Sequence, residues 1–251
     1  MCSAGLSRRP RWPRAGEIDH RIERANALLH RPVTTQTDRI AAVSRDPFAE
    51  ALWREHIQRP CVVVTQGGLA PVGAVLASRE ADNWRGSLAV AGLVLASPPT
   101  WQDMTVAKPV AEVERNYAFL RTPLGGASVA LLENRAAIRF FSNLFLFEEE
   151  ADAAWLDEAC ADCSAAVRAP VLAFNAGLLS ARDYSAELCN TYTPTLVLSG
   201  TTDKREADRR LYASQMLSCR LGSVRGCNVL PWESPRETCD AVRAFLAGLS
   251  A

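Results

Sequence analysis

The chain lacks the bulk signatures of a membrane or nucleic-acid protein. No run approaches the roughly 20 consecutive apolar residues that a bilayer-spanning helix needs. The most apolar stretch, Leu88 to Ala96, has the length of a strand. Net charge is absent too: 28 Lys and Arg balance 28 Asp and Glu, so no whole-molecule field draws the chain to nucleic acid or to a membrane surface. Small molecules or an unspecified protein partner remain. Histidine is scarce. His20, His30 and His56 are the only three in 251 residues, and chemistry that needs a histidine late in the chain is excluded.

Dense cysteine spacing is also missing. Eight cysteines, at Cys2, Cys61, Cys160, Cys163, Cys189, Cys219, Cys227 and Cys239, are spread along the chain and do not form the framework of a small secreted scaffold. Cys160 and Cys163 make a CxxC inside a helical run, with no second pair or histidine nearby to complete a zinc site. Reduced structural thiols are expected, in an intracellular compartment, with no metal and no cofactor. The first 44 residues are rich in arginine (Arg8, Arg9, Arg11, Arg14, Arg21, Arg24, Arg31 and Arg39) and have no apolar centre for a secretory signal. They read either as a transit-like segment, which makes chloroplast the alternative to cytoplasm, or as a disordered or mis-started N-terminus.

What is present is a set of short β-branched and aliphatic runs separated by helical patterns. Phe48, Leu52, Trp53 and Ile57 recur at helical spacing before Arg59-Pro60. Cys61 to Val64 follows as a strand covered on both faces, then a sharp turn at Gln66-Gly67-Gly68 and a small-residue helix, Leu69 to Ser78. Trp84-Arg85-Gly86 opens a second strand, Leu88 to Ala96. Helices are expected at Val110–Leu120, Ala127–Phe147, Ala153–Val167 and Val171–Leu179. Thr195–Ser199 is the third strand, Lys204–Leu217 a helix, Arg220–Leu230 the last strand and Pro235–Leu249 the closing helix. A strand, helix, strand unit of this length implies parallel neighbours and an α/β architecture.

Taken together, these segments resemble an α/β-hydrolase from its fifth strand to its end, over roughly residues 45 to 248. Cys61-Val62-Val63-Val64-Thr65-Gln66-Gly67-Gly68 resembles the strand and nucleophile elbow, Gly92 to Pro99 the next strand, Pro194 to Lys204 the strand that delivers the acid, and Glu233-Ser234-Pro235-Arg236-Glu237 the segment after the catalytic histidine. The stretches Val229–Pro235 and Ala137–Ser142 are similar to plant and green-algal members, many of them plastid-directed. The resemblance implies a mostly parallel sheet with a helical lid between its sixth and seventh strands. Residues 45–100 and 191–251 then form the core and 101–190 the lid, with the N-terminal strands missing relative to the family.

The same resemblance places the triad. The acid position falls on Asp203 and is retained, while the nucleophile falls on Gly67 and the histidine on Asn228. Glycine offers no nucleophile and an amide no general base. Thr65 is two residues from the elbow and reads as a strand-end threonine bonding backbone. Gln66, Gly68, Ser97 and Trp101 are candidates for a pocket or an anion-holding turn, with Trp101 among several lid aromatics. The expected function is a catalytically degenerate hydrolase-fold protein that binds an apolar or ester-like small molecule or a partner. An active esterase-like hydrolase with an atypical nucleophile or base is the first alternative, and a truncated, non-functional fragment the second.

Overall fold

Runs rich in Val and Leu build the sheet in the computed structural model, which describes residues 61–82, 90–162 and 168–249. The expected helix over 47–58, the opening at Trp84 and the segment over 1–44 lie outside the described residues. Four strands, β1 (Cys61–Gln66), β2 (Val90–Ala96), β3 (Thr195–Gly200) and β4 (Cys219–Val224), pair in chain order and all in parallel. β2 and β3 are buried almost throughout, as expected of strands covered on both faces. Side chains alternate between two layers. Leu93, Leu95 and Val197 face one cluster with Ala70, Ala74, Met104, Tyr184, Leu188 and Tyr212. Val94 and Leu196 face another around Phe245.

β1 differs from expectation. It is only half-buried, with Val64 55% exposed, because β2 is the one described strand that pairs with it. After it come a 3-10 turn, Gly67–Leu69, and helix α1 (Ala70–Asp82). The small residues of α1 let it lie close on the sheet: a Cβ at Gly73 would sit 2.7 Å from Thr65 Cγ2 and 3.0 Å from Leu93 Cδ1.

Between β2 and β3 the described residues are helical, in shorter pieces than the apolar pattern predicts. They form α2 (Trp101–Thr105), α3 (Val110–Leu120), α4 (Pro123–Leu132), α5 (Arg135–Phe145), α6 (Ala153–Asp162), α7 (Arg168–Asn175) and α8 (Ser185–Asn190). The single helix expected over 127–147 is two. Asn134 breaks it, its side chain accepting from Ala137 N at 3.0 Å, a capping bond that starts a new helix. Thr122 caps α4 in the same way, with Pro123 at its first position. α7 ends at Asn175, and Gly177, with a φ of 91°, turns the chain into a 3-10 turn at Leu178–Ser180.

The last strand was also expected to be longer. β4 stops at Val224 because Glu233 draws the following backbone away. Its Oε2 accepts from Cys227 N at 2.9 Å and Asn228 N at 3.2 Å, and Leu230 opens a short helix, α10 (Leu230–Glu233). Helix α9 (Glu206–Gln215) covers one face and α11 (Pro235–Ala247) the other. No helix of the described residues is long and apolar enough to cross a membrane, and none of their side chains form a group of three or more potential metal ligands.

Candidate functional site

β1 delivers Gln66 in extended conformation, and the chain then reverses at Gly67, whose φ is 55°. That left-handed turn costs a glycine little and other residues about 1–2 kcal/mol. Gln66 is in register with Ala96 at the end of β2, so the next residue, Ser97, stands beside the turn. Ser97 also has a positive φ, 43°, and is 3% exposed. Its N–H donates to Leu198 O at 2.8 Å. Its Oγ is buried without a hydrogen-bond partner, and so is Gln66 Oε1.

The loop after β4 closes a third side. Asn228 N and Val229 N both donate to Leu146 O, at 3.0 and 3.2 Å, which fastens this loop to the end of α5. Gln66 Nε2 donates to the Asn228 carbonyl at 2.6 Å and to Asn228 Oδ1 at 3.4 Å. A Cβ placed on Gly67 would lie 4.0 Å from Asn228 Oδ1. A side chain at residue 67 would therefore meet the side chain at residue 228. A cavity of about 350 Å³ lies between them, lined by Gln66, Gly67, Gly68, Ser97 and Asn228 together with Leu146, Trp155 and Arg205.

Asp203 is not part of that lining. Its Oδ2 accepts from Arg209 Nη2 at 2.9 Å and Nε at 3.1 Å in an almost fully buried ion pair. Its Oδ1 accepts from Arg205 N at 3.0 Å at the entry to α9. Arg209 Nη1 donates to the carbonyls of Pro98 and Pro99, and Tyr212 Oη also donates to Pro99 O. The carboxylate thus holds a guanidinium that in turn holds the segment following Ser97. Among the described residues no hydrogen bond joins Asp203 to Asn228.

The remaining sequence candidates are dispersed. Trp101 lies edge-on to Tyr212 at 5.1 Å, against the core and away from the cavity lining. Thr65 Oγ1 donates to Val94 O at 3.5 Å. Gly68 is covered by the Phe174 ring, whose Cε2 would lie 2.7 Å from a Cβ there. Phe140, Phe141 and Phe145 are exposed and contact one another. Burial, aided by the carboxylates of Glu233 and Asp203, pushes the Cys227 thiol up, which disfavours a nucleophilic thiolate at neutral pH.

Several participants were not legible as site residues. Trp155, Leu146, Arg205, Arg209 and Phe174 come from helices or helix ends whose apolar and charged positions look like any amphipathic surface. The one available signal was the i, i+6 pairing of Asp203 with Arg209 across a helix start, which is common enough to pass unnoticed.

Comparison with solved structures gives the architecture a name. A membrane phospholipase A, described as a novel bacterial virulence factor, superposes with a TM-score of 0.55 at 15% identity, over 84% of this chain and 64% of that one. A hydrolase from Pseudomonas aeruginosa gives 0.53 at 21% identity, over 82% and 71%. A proline iminopeptidase from Mycobacterium smegmatis gives 0.52 at 16%, over 82% and 70%. The fold is that of the α/β-hydrolases.

The chain spans just under two thirds of the phospholipase's length. A sequence-family model described as a domain of unknown function, DUF4175, matches residues 2–106, and its description carries no activity. No curated protein matches by sequence. In this α/β-hydrolase fold the cavity opens at the carboxyl ends of β1 and β2, the edge at which open α/β sheets hold ligands.

Proposed function

We propose that this α/β-hydrolase-fold chain binds a small molecule in the cavity beside Gly67 and does not hydrolyse it through a serine, histidine and acid triad. The carrying observation is the approach of residue 67 to residue 228. Gly67 holds a left-handed strand-to-helix turn, as a nucleophile elbow does, and its Cβ direction meets Asn228 Oδ1 at 4.0 Å. The two positions face each other as nucleophile and base would, yet one has no side chain and the other cannot take a proton near neutrality. Asp203, at the acid position, spends its carboxylate on Arg209. The helical segment over 101–190 serves as the lid, reaching the cavity through Leu146 and Trp155.

Short-chain nitrophenyl esters test this reading. The purified chain is expected to release nitrophenol no faster than buffer alone, and Asp203→Asn, Thr65→Ala and Ser97→Ala to be equally silent. Turnover by the unaltered chain that any of these three substitutions abolishes would overturn it in favour of an atypical hydrolase.

A further inference from the structure

Two polar atoms set the chemistry of the cavity. Gln66 Oε1 can only accept, and the orientation of its amide is decided by its other end, because Nε2 must face the Asn228 carbonyl to donate to it at 2.6 Å. Ser97 Oγ can donate or accept. Both atoms are buried, both lack a protein partner, and both belong to residues that line the same cavity from neighbouring strand ends. Leaving such groups unsatisfied is costly. A ligand carbonyl would satisfy Ser97 alone, and an ammonium, which could donate to both, would meet the like charge of Arg205 in the same lining. A hydroxyl satisfies both, donating to Gln66 Oε1 while accepting from Ser97 Oγ–H.

Charge adds a second selection. Arg205 is the one formally charged residue lining the cavity, and its guanidinium is in no ion pair among the described residues. A carboxylate at the mouth would meet it. Apart from Asn228 and the glycine turn, the remaining wall is apolar, from Pro99, Leu146, Trp155 and Val229, and 350 Å³ falls at the small end of ordinary ligand pockets.

Resting on the binding role proposed above, we infer that the cavity selects a small hydroxy acid with an apolar body, its hydroxyl shared between Gln66 and Ser97 and its carboxylate on Arg205. Ser97 is held in position for this by Arg209, which grips the carbonyls of Pro98 and Pro99.

The test uses mandelate, phenylacetate, which lacks the hydroxyl, and benzyl alcohol, which lacks the carboxylate. Each is titrated into the full chain by calorimetry, with amide NMR shifts to locate the site. Mandelate is expected to bind about tenfold tighter than either partner probe, the worth of one polar contact. Ser97→Ala should erase its advantage over phenylacetate, and Arg205→Gln its advantage over benzyl alcohol. Equal affinity for all three probes at the cavity, or a mandelate preference that survives Ser97→Ala, overturns the hydroxy-acid inference and leaves the binding role standing. Absence of any shift at Gln66, Ser97 and Trp155 with all three probes overturns both.

Discussion

Cys219 begins β4 with its thiol packed against the cluster that contains Tyr212 and Met216. Burial pushes this thiol up to about 11, and burial likewise raises the Tyr212 phenol. Both groups keep their protons in the folded chain at pH values where the unfolded chain has begun to release them. Above the ordinary thiol range the unfolded state therefore binds fewer protons than the native one, and stability falls as pH rises. Melting temperature is expected to decline between about pH 9 and 11, and more gently in Cys219→Ala once both are referred to pH 8. A melting temperature that climbs across that interval contradicts the assignment. The sharp turn at Gln66-Gly67-Gly68 was readable from sequence, since two glycines directly follow a β-branched run. The backbone of Ser97 was not, because a serine with positive φ leaves no trace in its neighbours' identities and is set by contacts from α9.

Elements were legible where one force dominated. The strands at Cys61, Val90 and Thr195 stand out because continuous β-branched or aliphatic runs have one favourable environment, the middle of a covered sheet. α3 was predicted over its full observed span. The insert was misjudged where a polar cap overrode an apolar run, as at Asn134, and the end of β4 where a side chain twelve or fewer residues away captured the backbone.

Glu233 is the clearest such case. Besides Cys227 N and Asn228 N it accepts from Glu148 N at 2.7 Å, so one carboxylate ties α10 to the loop after β4 and to the segment after α5. Replacing it with alanine strands two backbone donors, Cys227 N and Glu148 N, while Asn228 N keeps Leu146 O, and with partial exposure the expected loss is about 2 kcal/mol. Chemical denaturation of Glu233→Ala would measure this. Hydrogen exchange should show the fastest gain at Cys227 and Glu148, and uniform acceleration across the sheet would argue instead for general loosening.

At the scale of the molecule, the fold was legible because four weak motifs occur in the order that one architecture demands, whereas the use of the site was not, because one fold hosts many chemistries and names none of them. Ester hydrolysis gives the proposed binding role a measurable contrast. Gly67→Ser with Asn228→His would supply a hydroxyl and a base in positions that approach each other, but the base would find no carboxylate free to orient it, a deficit of about 10^4-fold in turnover in triads of this kind. Adding Arg209→Leu to that pair is expected to raise ester turnover further, read as nitrophenol release, while lowering the melting temperature. A double variant as fast as the triple would show that Asp203 is already available.

The buried pair of Asp203 and Arg209 bears on stability as well. Breaking it by changing Arg209 alone uncovers a buried carboxylate and removes the donor from two proline carbonyls, a loss of about 3–5 kcal/mol. The ion pair is a latch: it fastens the start of α9 to the segment after β2, so that loosening one end loosens the other.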